Sequence, residues 1–316
     1  MTPSSAIHVT GLRKSYGDLL VLDGIDLDVA PGTVFALLGP NGAGKTTTIH
    51  ILTTLLTPDA GEVSVGGHEL RTDPEGIRWQ IGVTGQFSAV DDLLTGQENL
   101  RLMAALHHLG RDDGKRRIAE LLERFELTEA AGKHVATYSG GMKRRLDLAM
   151  TLMGSPRIVF LDEPTSGVDP RGRQTMWHIV RDLVADGITI FLTTQYLEEA
   201  DELANRVALL DHGRIVAEGT PAQLKRLVPG GAVRLEFADT VALERVAGRI
   251  ATARRDPDGL VLHIPTDGGV AALRSVLDLL DGAAAEVADI SLQTPDLDDV
   301  FLSLTGQGDA RKAATE

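Results

Sequence analysis

Apolar and polar positions change period several times along the chain, and each change marks an element. Residues 7–9 and 21–29 alternate apolar and polar side chains, as half-buried strands do. After the turn Pro31-Gly32, residues 33–38 form a continuous apolar run, which predicts a strand buried on both faces. A glycine-rich loop and a helix over 45–56 follow, and Pro58 to Gly61 ends that unit. Residues 62–86 read as further short strands, the last at Ile81-Gly82-Val83. The period then turns helical over 97–109, 111–125 and 141–153, which predicts a mostly helical insert at about 88–155.

Beyond it the strand–helix alternation resumes. Residues 157–161 and 189–193 carry buried-strand patterns, with a helix over 173–185 between them. Residues 207–210 and 214–218 form a strand pair around the turn Asp211-His212-Gly213. Such alternation predicts a mostly parallel sheet covered on both faces. Pro229-Gly230-Gly231 is the best boundary in the chain, so the first domain is expected at 5–228. A small α+β domain over 229–306 follows, with strands at 233–237, 260–264 and 287–292 and helices at 241–250, 270–280 and 297–304. The polar tail 307–316 reads as disordered.

The glycine-rich loop carries the first chemistry. Gly39-Pro40-Asn41-Gly42-Ala43-Gly44-Lys45-Thr46 fits G-x-x-x-x-G-K-[ST], between a predicted strand and a predicted helix. Glycines let backbone N–H groups turn toward phosphate oxygens, and the helix N-terminus adds a positive dipole end. In this motif Lys45 reaches the β- and γ-phosphates and the Thr46 hydroxyl can ligate Mg²⁺; Thr47 continues the nucleotide-binding run. A second apolar strand, Ile158-Val159-Phe160-Leu161, ends in Asp162-Glu163-Pro164. Carboxylates at the C-terminal end of a buried strand face the ligand crevice of an open α/β sheet. Asp162 is expected to hold Mg²⁺, through water, and Glu163 to orient the attacking water. The fold class is therefore α/β, a P-loop ATPase core with an antiparallel β subdomain and a helical insert, followed by the small α+β domain.

Between these motifs, Tyr138-Ser139-Gly140-Gly141-Met142-Lys143 resembles the L-S-G-G-Q signature of the ABC ATPase family. Taken alone, Ser-Gly-Gly reads as a helix N-cap. In combination it identifies the chain as similar to that family over about residues 5–220. The resemblance implies two ATP molecules sandwiched in a head-to-tail homodimer, with Ser139, Gly140 and Gly141 of one copy closing on the γ-phosphate held by the other. It implies that Tyr16 stacks on adenine, where an ordinary strand-end aromatic is the alternative. It implies that Gln86 links the γ-phosphate and Mg²⁺ to the helical insert, and that Asp169 in Ser166-Gly167-Val168-Asp169-Pro170 couples the two sites.

One position departs. Relatives carry histidine where Thr193-Thr194-Gln195 places Gln195, an amide that can donate to a phosphate but takes up no proton. That favours Glu163 as the catalytic carboxylate, with Gln195 and Lys45 beside it. The run Thr-Thr-Gln-Tyr-Leu-Glu-Glu-Ala-Asp, the Tyr-Ser-Gly-Gly-Met signature and the ending Leu297-Asp298-Asp299-Val300-Phe301-Leu302 are similar to the daunorubicin/doxorubicin resistance branch of ABC exporters. The resemblance implies a separate membrane-spanning permease subunit as partner, gripped by the segment after Gln86, and a peripheral place on the cytoplasmic side of the cell membrane. Drugs, antibiotics or other hydrophobic compounds would be the cargo.

Composition narrows the alternatives. The 316 residues include no cysteine, which removes disulfides, thiolate metal sites and cysteine nucleophiles. A formal net charge of −14 argues against nucleic acid and against direct adsorption to an anionic leaflet. No stretch approaches the roughly 20 apolar residues of a spanning helix, and residues 1–7 lack a signal-peptide pattern. The clusters Lys143-Arg144-Arg145 and Lys115-Arg116-Arg117 read as solvated helix faces, with a membrane-partner surface as the alternative. The nine histidines show no metal-ligand spacing and read as surface or turn residues. A soluble ABC ATPase acting on ribosomes or DNA stays open as a second class, and a slow regulatory nucleotide binder as a third, the latter suggested by Gln195.

Overall fold

The computed structural model describes residues 5–304 apart from 87–88, 229–230, 251, 257–258, 267–269, 284–286, 294 and 302, so the expected tail at 307–316 lies outside the described residues. The chain divides into two compact units, residues 1–221 and 222–316.

The first unit holds two sheets. Strands β1 (Ile7–Tyr16), β2 (Leu19–Val29), β4 (Ala60–Val65) and β5 (His68–Glu69) form an antiparallel sheet in the order β2-β1-β4-β5. Its alternating pattern turns Ile7, Val9, Leu12, Leu22, Ile25, Leu27, Val63 and Val65 into the core. The second sheet contains β3 (Val34–Leu38), β6 (Ile81–Thr84), β7 (Ile158–Asp162), β8 (Thr189–Thr194), β9 (Arg206–Asp211) and β10 (Arg214–Gly219), in the order β10-β9-β3-β8-β7-β6. All its pairs are parallel except β9–β10, a hairpin at the edge. Every residue of β3, β7 and β8 is buried, which is why 34–38, 158–161 and 190–192 read as unbroken apolar runs.

Helix α1 (Lys45–Leu52) is shorter than its apolar pattern suggested. The Thr53 hydroxyl donates back to the carbonyl of Ile49, Thr54 turns to φ 67°, and the amides of Leu55 and Leu56 both bond the carbonyl of His50. A wide turn therefore replaces the last helical turn. A helix also stands where only short strands were expected, α2 (Pro74–Gln80). Its start was written in the sequence: Asp73 accepts from the Gly76 amide as N-cap, and Pro74 fills the first helical position, where no N–H is needed.

The helical segment comprises α3 (Gly96–Leu106), α4 (Arg111–Arg124) and α5 (Gly140–Thr151). A reciprocal capping box between Thr95 and Glu98 starts α3. Helices α6 (Pro170–Ala185) and α7 (Leu197–Leu203) return the chain to the parallel sheet, and α8 (Pro221–Lys225) follows β10. Asp169 caps α6 with Pro170 at its first turn, so this helix begins three residues before the apolar period does.

The second unit carries β11 (Gly231–Phe237), α9 (Thr240–Ala247), β12 (Arg254–Arg255), β13 (Val261–Thr266), α10 (Val270–Ala283) and β14 (Val287–Gln293). Residues 297–301 and 303–304 are helical. The sheet is antiparallel in the order β12-β13-β11-β14, the split β-α-β-β-α-β arrangement of ferredoxin-like folds. Val233, Leu235 and Phe237 on alternate positions of β11 pack with Leu243, Val246, Leu262, Ile264, Val276 and Leu280. The two-residue β12, Arg254-Arg255, carries no apolar pattern that could have announced it.

Phe191 at the centre of β8 stacks on Phe35 at 5.5 Å and meets Phe160 at 5.5 Å, and all three are fully buried. Phe191→Ala should lose about 3–5 kcal/mol of stability, read as a shifted urea midpoint with little change in slope.

Candidate active site

Parallel register decides which residues meet. Leu38 pairs with Thr194 and Asp162 with Thr193, so β3, β8 and β7 end at one level. Thr84 of β6 pairs with Leu161 at the same edge. The segments that leave these strand ends are Gly39 to Gly44, Gln195, Asp162-Glu163 and Gln86. Four motifs far apart in sequence are thus carried to one rim of one sheet, the place where open α/β sheets bind ligands.

The phosphate loop has its shape because it contains glycines. A Cβ at Gly39 would lie 2.3 Å from the carbonyl oxygen of Leu210. At Gly44, with φ 111°, it would lie 2.5 Å from the Leu22 side chain. Lys45, the first residue of α1, is 5% exposed and donates from Nζ to the carbonyls of Gly39 (2.8 Å) and Pro40 (3.1 Å). Burial pushes its ammonium below the usual range, while the charges of Glu163 and Asp162 pull it back up. Thr46 Oγ1 donates to Asp162 Oδ2 at 3.3 Å, and Thr193 Oγ1 holds the other oxygen of the same carboxylate. The loop and the acids therefore converge on one spot.

Glu163 adopts φ 49°, a left-handed conformation that costs a non-glycine residue on the order of 1 kcal/mol. Its amide bonds the carbonyl (3.0 Å) and the hydroxyl (3.3 Å) of Thr193, which fixes the turn. Gln86 Nε2 reaches Glu163 Oε2 at 3.5 Å, the outer limit of a hydrogen bond. Gln195 is exposed, immediately after β8.

The other candidates lie at helix starts and at a hairpin tip. Ser139 caps α5, accepting from the Met142 amide at 3.3 Å, and Gly140 and Gly141 have open space around them. No hydrogen bond among the described residues joins these three to the phosphate loop. Asp169 spends Oδ1 on the Gly172 amide at 3.0 Å. Tyr16 ends β1, half exposed, with Lys14 Nζ 5.9 Å from its ring centre.

One functional-looking residue was misread from sequence. Arg144 is buried at 8% exposure, so the basic cluster 143–145 is not a uniformly solvated face. Asp147, inside the apolar run Leu146 to Met150 and one turn after Arg144, was the signal available. None of the nine histidines is buried.

A family model described as ABC transporter matches residues 22–166. The daunorubicin resistance ATP-binding protein DrrA3 of Streptomyces coeruleorubidus is 47% identical, over 96% of each chain. The chain belongs to the ABC transporter family as an ATP-binding subunit. The daunorubicin/doxorubicin resistance ATP-binding protein DrrA of Streptomyces peucetius is 44% identical over 96% of this chain and 93% of its own. The Nod factor export ATP-binding protein I of Paraburkholderia xenovorans is 36% identical over 96% and 98%. A solved ATP-binding subunit of an ABC transporter is 30% identical, with a TM-score of 0.64 over 71% of this chain and 93% of that one. A dimeric ATP-binding cassette in a post-hydrolysis state, bound to ADP and Pi, is 25% identical with a TM-score of 0.62, over 68% and 98%. This ABC subunit is accordingly an ATP hydrolase, and its sheets and helices form the P-loop α/β fold of the family. Among its described helices none is long and apolar enough to cross a membrane.

Gly39→Ala should displace the phosphate loop, because backbone rather than a flexible side chain stands in the way. ATP affinity, measured by fluorescent-nucleotide titration, should fall at least about tenfold, the equivalent of roughly 1.4 kcal/mol, while the fold survives.

Proposed function

We propose that this subunit powers an exporter, with the rim of the parallel sheet as its ATP site. The convergence of Thr46, Asp162, Lys45, Glu163 and Gln86 carries the reading. Lys45, Thr46, Thr47 and the N–H groups of Gly39 and of Asn41 to Gly44 hold one face of the triphosphate, with Pro40 shaping the loop, and Tyr16 meets the adenine. Lys45 exchanges its two loop carbonyls for phosphate oxygens. Mg²⁺ fits the donor set: Thr46 and Asp162 present hard oxygens 3.3 Å apart, and such ions are held by one or two protein groups plus phosphates. Gln86 is its further neighbour. When bound, Mg²⁺ neutralises charge developing on the phosphates. Glu163 orients a water for in-line attack on the γ-phosphorus, giving ADP and phosphate, and Gln195 donates a hydrogen bond to the γ-phosphate.

Two copies assemble head to tail, with Ser139, Gly140 and Gly141 of each closing the site of the other and Asp169 coupling the pair. The open space beside Gly140 and Gly141 at the start of α5 supports this, since the N-terminus of a helix favours an anion. Closure drives a separate membrane-spanning permease through Gln86 and the helical segment, with the subunit peripheral on the cytoplasmic side of the cell membrane. The ATP-binding domain spans 5–228, with its helical insert at about 88–155, and the α+β domain spans 229–306. The names of the relatives support drugs, antibiotics or other hydrophobic compounds as cargo.

Lys45→Ala should abolish tight ATP binding in nucleotide titrations. Glu163→Gln should still bind ATP but stall, accumulating a dimer in size-exclusion chromatography; normal multiple turnover by this variant would overturn the role of Glu163. Gln195→Ala should lower the turnover rate with KM little changed, and an unchanged rate would remove Gln195 from the mechanism.

A further inference from the structure

The buried guanidinium of Arg144 lies directly behind the two residues that face each other at the sheet rim. Its Nη1 donates to the carbonyl of Gly85 (2.7 Å), its Nη2 to that of Asp162 (3.1 Å) and its Nε to that of Pro164 (3.0 Å). Gly85 precedes Gln86, and Asp162 and Pro164 flank Glu163. One planar cation therefore ties the backbone on both sides of the left-handed Glu163 and at the base of Gln86. A guanidinium can do this because its N–H donors form a rigid fork; an ammonium has no such plane.

Burying that charge requires partners. Asp147 Oδ2 sits 3.4 Å from Nη1, at 4% side-chain exposure against 9% for Arg144. Asp147 Oδ1 also accepts from the Ala89 amide at 3.2 Å, so the same ion pair holds the chain at both Gly85 and Ala89. Asp162 and the buried Glu199 add negative charge around Arg144. Burial raises the Glu199 carboxyl, while Thr194, Thr165, Trp177 and the Arg144 charge lower it.

We infer that Arg144, neutralised by Asp147, is a positioning residue that sets the placement of Glu163 against Gln86. Both members of the pair stand on α5, the helix opened by Ser139-Gly140-Gly141. A displacement of α5 is transmitted to the carbonyls around Glu163 without passing through a loop. The guanidinium spends its donors on the carbonyls of Gly85, Asp162 and Pro164 and on Asp147, so its effect is on turnover rather than on nucleotide affinity. This inference rests on the proposed roles of Glu163 and Gln86.

The test compares Arg144→Lys, Arg144→Gln, Asp147→Asn and Glu163→Gln in the full chain, measuring kcat and KM for ATP, the Kd of a fluorescent ATP analogue and the melting temperature. Arg144→Gln keeps at most part of the fork and should lower kcat by about tenfold to a hundredfold, the cost of misplacing a catalytic group by around 1 Å, with Kd within about twofold. Arg144→Lys should recover part of that rate. Asp147→Asn keeps the shape but not the charge and should lower kcat by a smaller factor; it carries the test if the Arg144 variants fail to fold. Wild-type kcat in Arg144→Gln or, should that variant not fold, in Asp147→Asn would overturn the inference, as would parallel losses of kcat, affinity and melting temperature. Glu163→Gln separates the two readings: if it turns over normally the underlying site assignment fails, whereas a stalled Glu163→Gln beside a normal Arg144→Gln removes the clamp alone.

Discussion

Leu38, Thr194 and Asp162 end three neighbouring parallel strands at one level, and the hydrogen-bond register of that sheet is the constraint on which everything else depends. Parallel strands need crossovers, so residues that become neighbours are separated by whole helices in sequence. Leu38 and Asp162 stand on strands separated only by β8, with the entire helical segment between them in the chain. A slip of one residue would turn each side chain to the opposite face of the sheet and part Thr46 from Asp162. The fully buried Phe35, Phe160 and Phe191 hold that register from behind.

On this frame the site uses groups that are costly to hold. Lys45 is buried and its positive charge is disfavoured there. Glu163 sits in a left-handed turn. Arg144 carries a full charge into the interior. Each is retained because something specific opposes the cost: loop carbonyls and two carboxylates for Lys45, the Thr193 carbonyl and hydroxyl for Glu163, and three carbonyls with Asp147 for Arg144. Such a site answers to small movements, since its members are held by few, directional bonds. That property suits the proposed coupling of hydrolysis to movement.

Much of the fold was legible because burial on both faces leaves continuous apolar runs. Val34 to Leu38 and Ile158 to Leu161 could be read as central strands with no other information. Helix α2 was missed because seven residues give too little apolar period, although Asp73-Pro74 marked its start. The end of α1 was misplaced because Thr53 and Thr54 turn the chain by side-chain and left-handed backbone geometry, which leaves no trace in hydrophobic spacing. In the second unit β12 was missed for a similar reason, being two arginines that pair with His263 and Leu262 of β13.

The sequence by itself marked out the glycine-rich loop and the carboxylate strand as the candidate site, since glycines, a lysine, a threonine and paired acids at those spacings have few other uses. It also determined the kinship with ATP-binding subunits, through the Tyr-Ser-Gly-Gly-Met and Thr-Thr-Gln-Tyr-Leu-Glu-Glu-Ala-Asp runs. Only the tertiary structure decided that Gln86 faces Glu163 and that Thr46 bonds Asp162, because register between distant strands is not a local property. It alone took Arg144 out of a basic surface cluster and set it behind Glu163. Helical spacing says which side chains share a face, but not whether that face meets solvent or three backbone carbonyls.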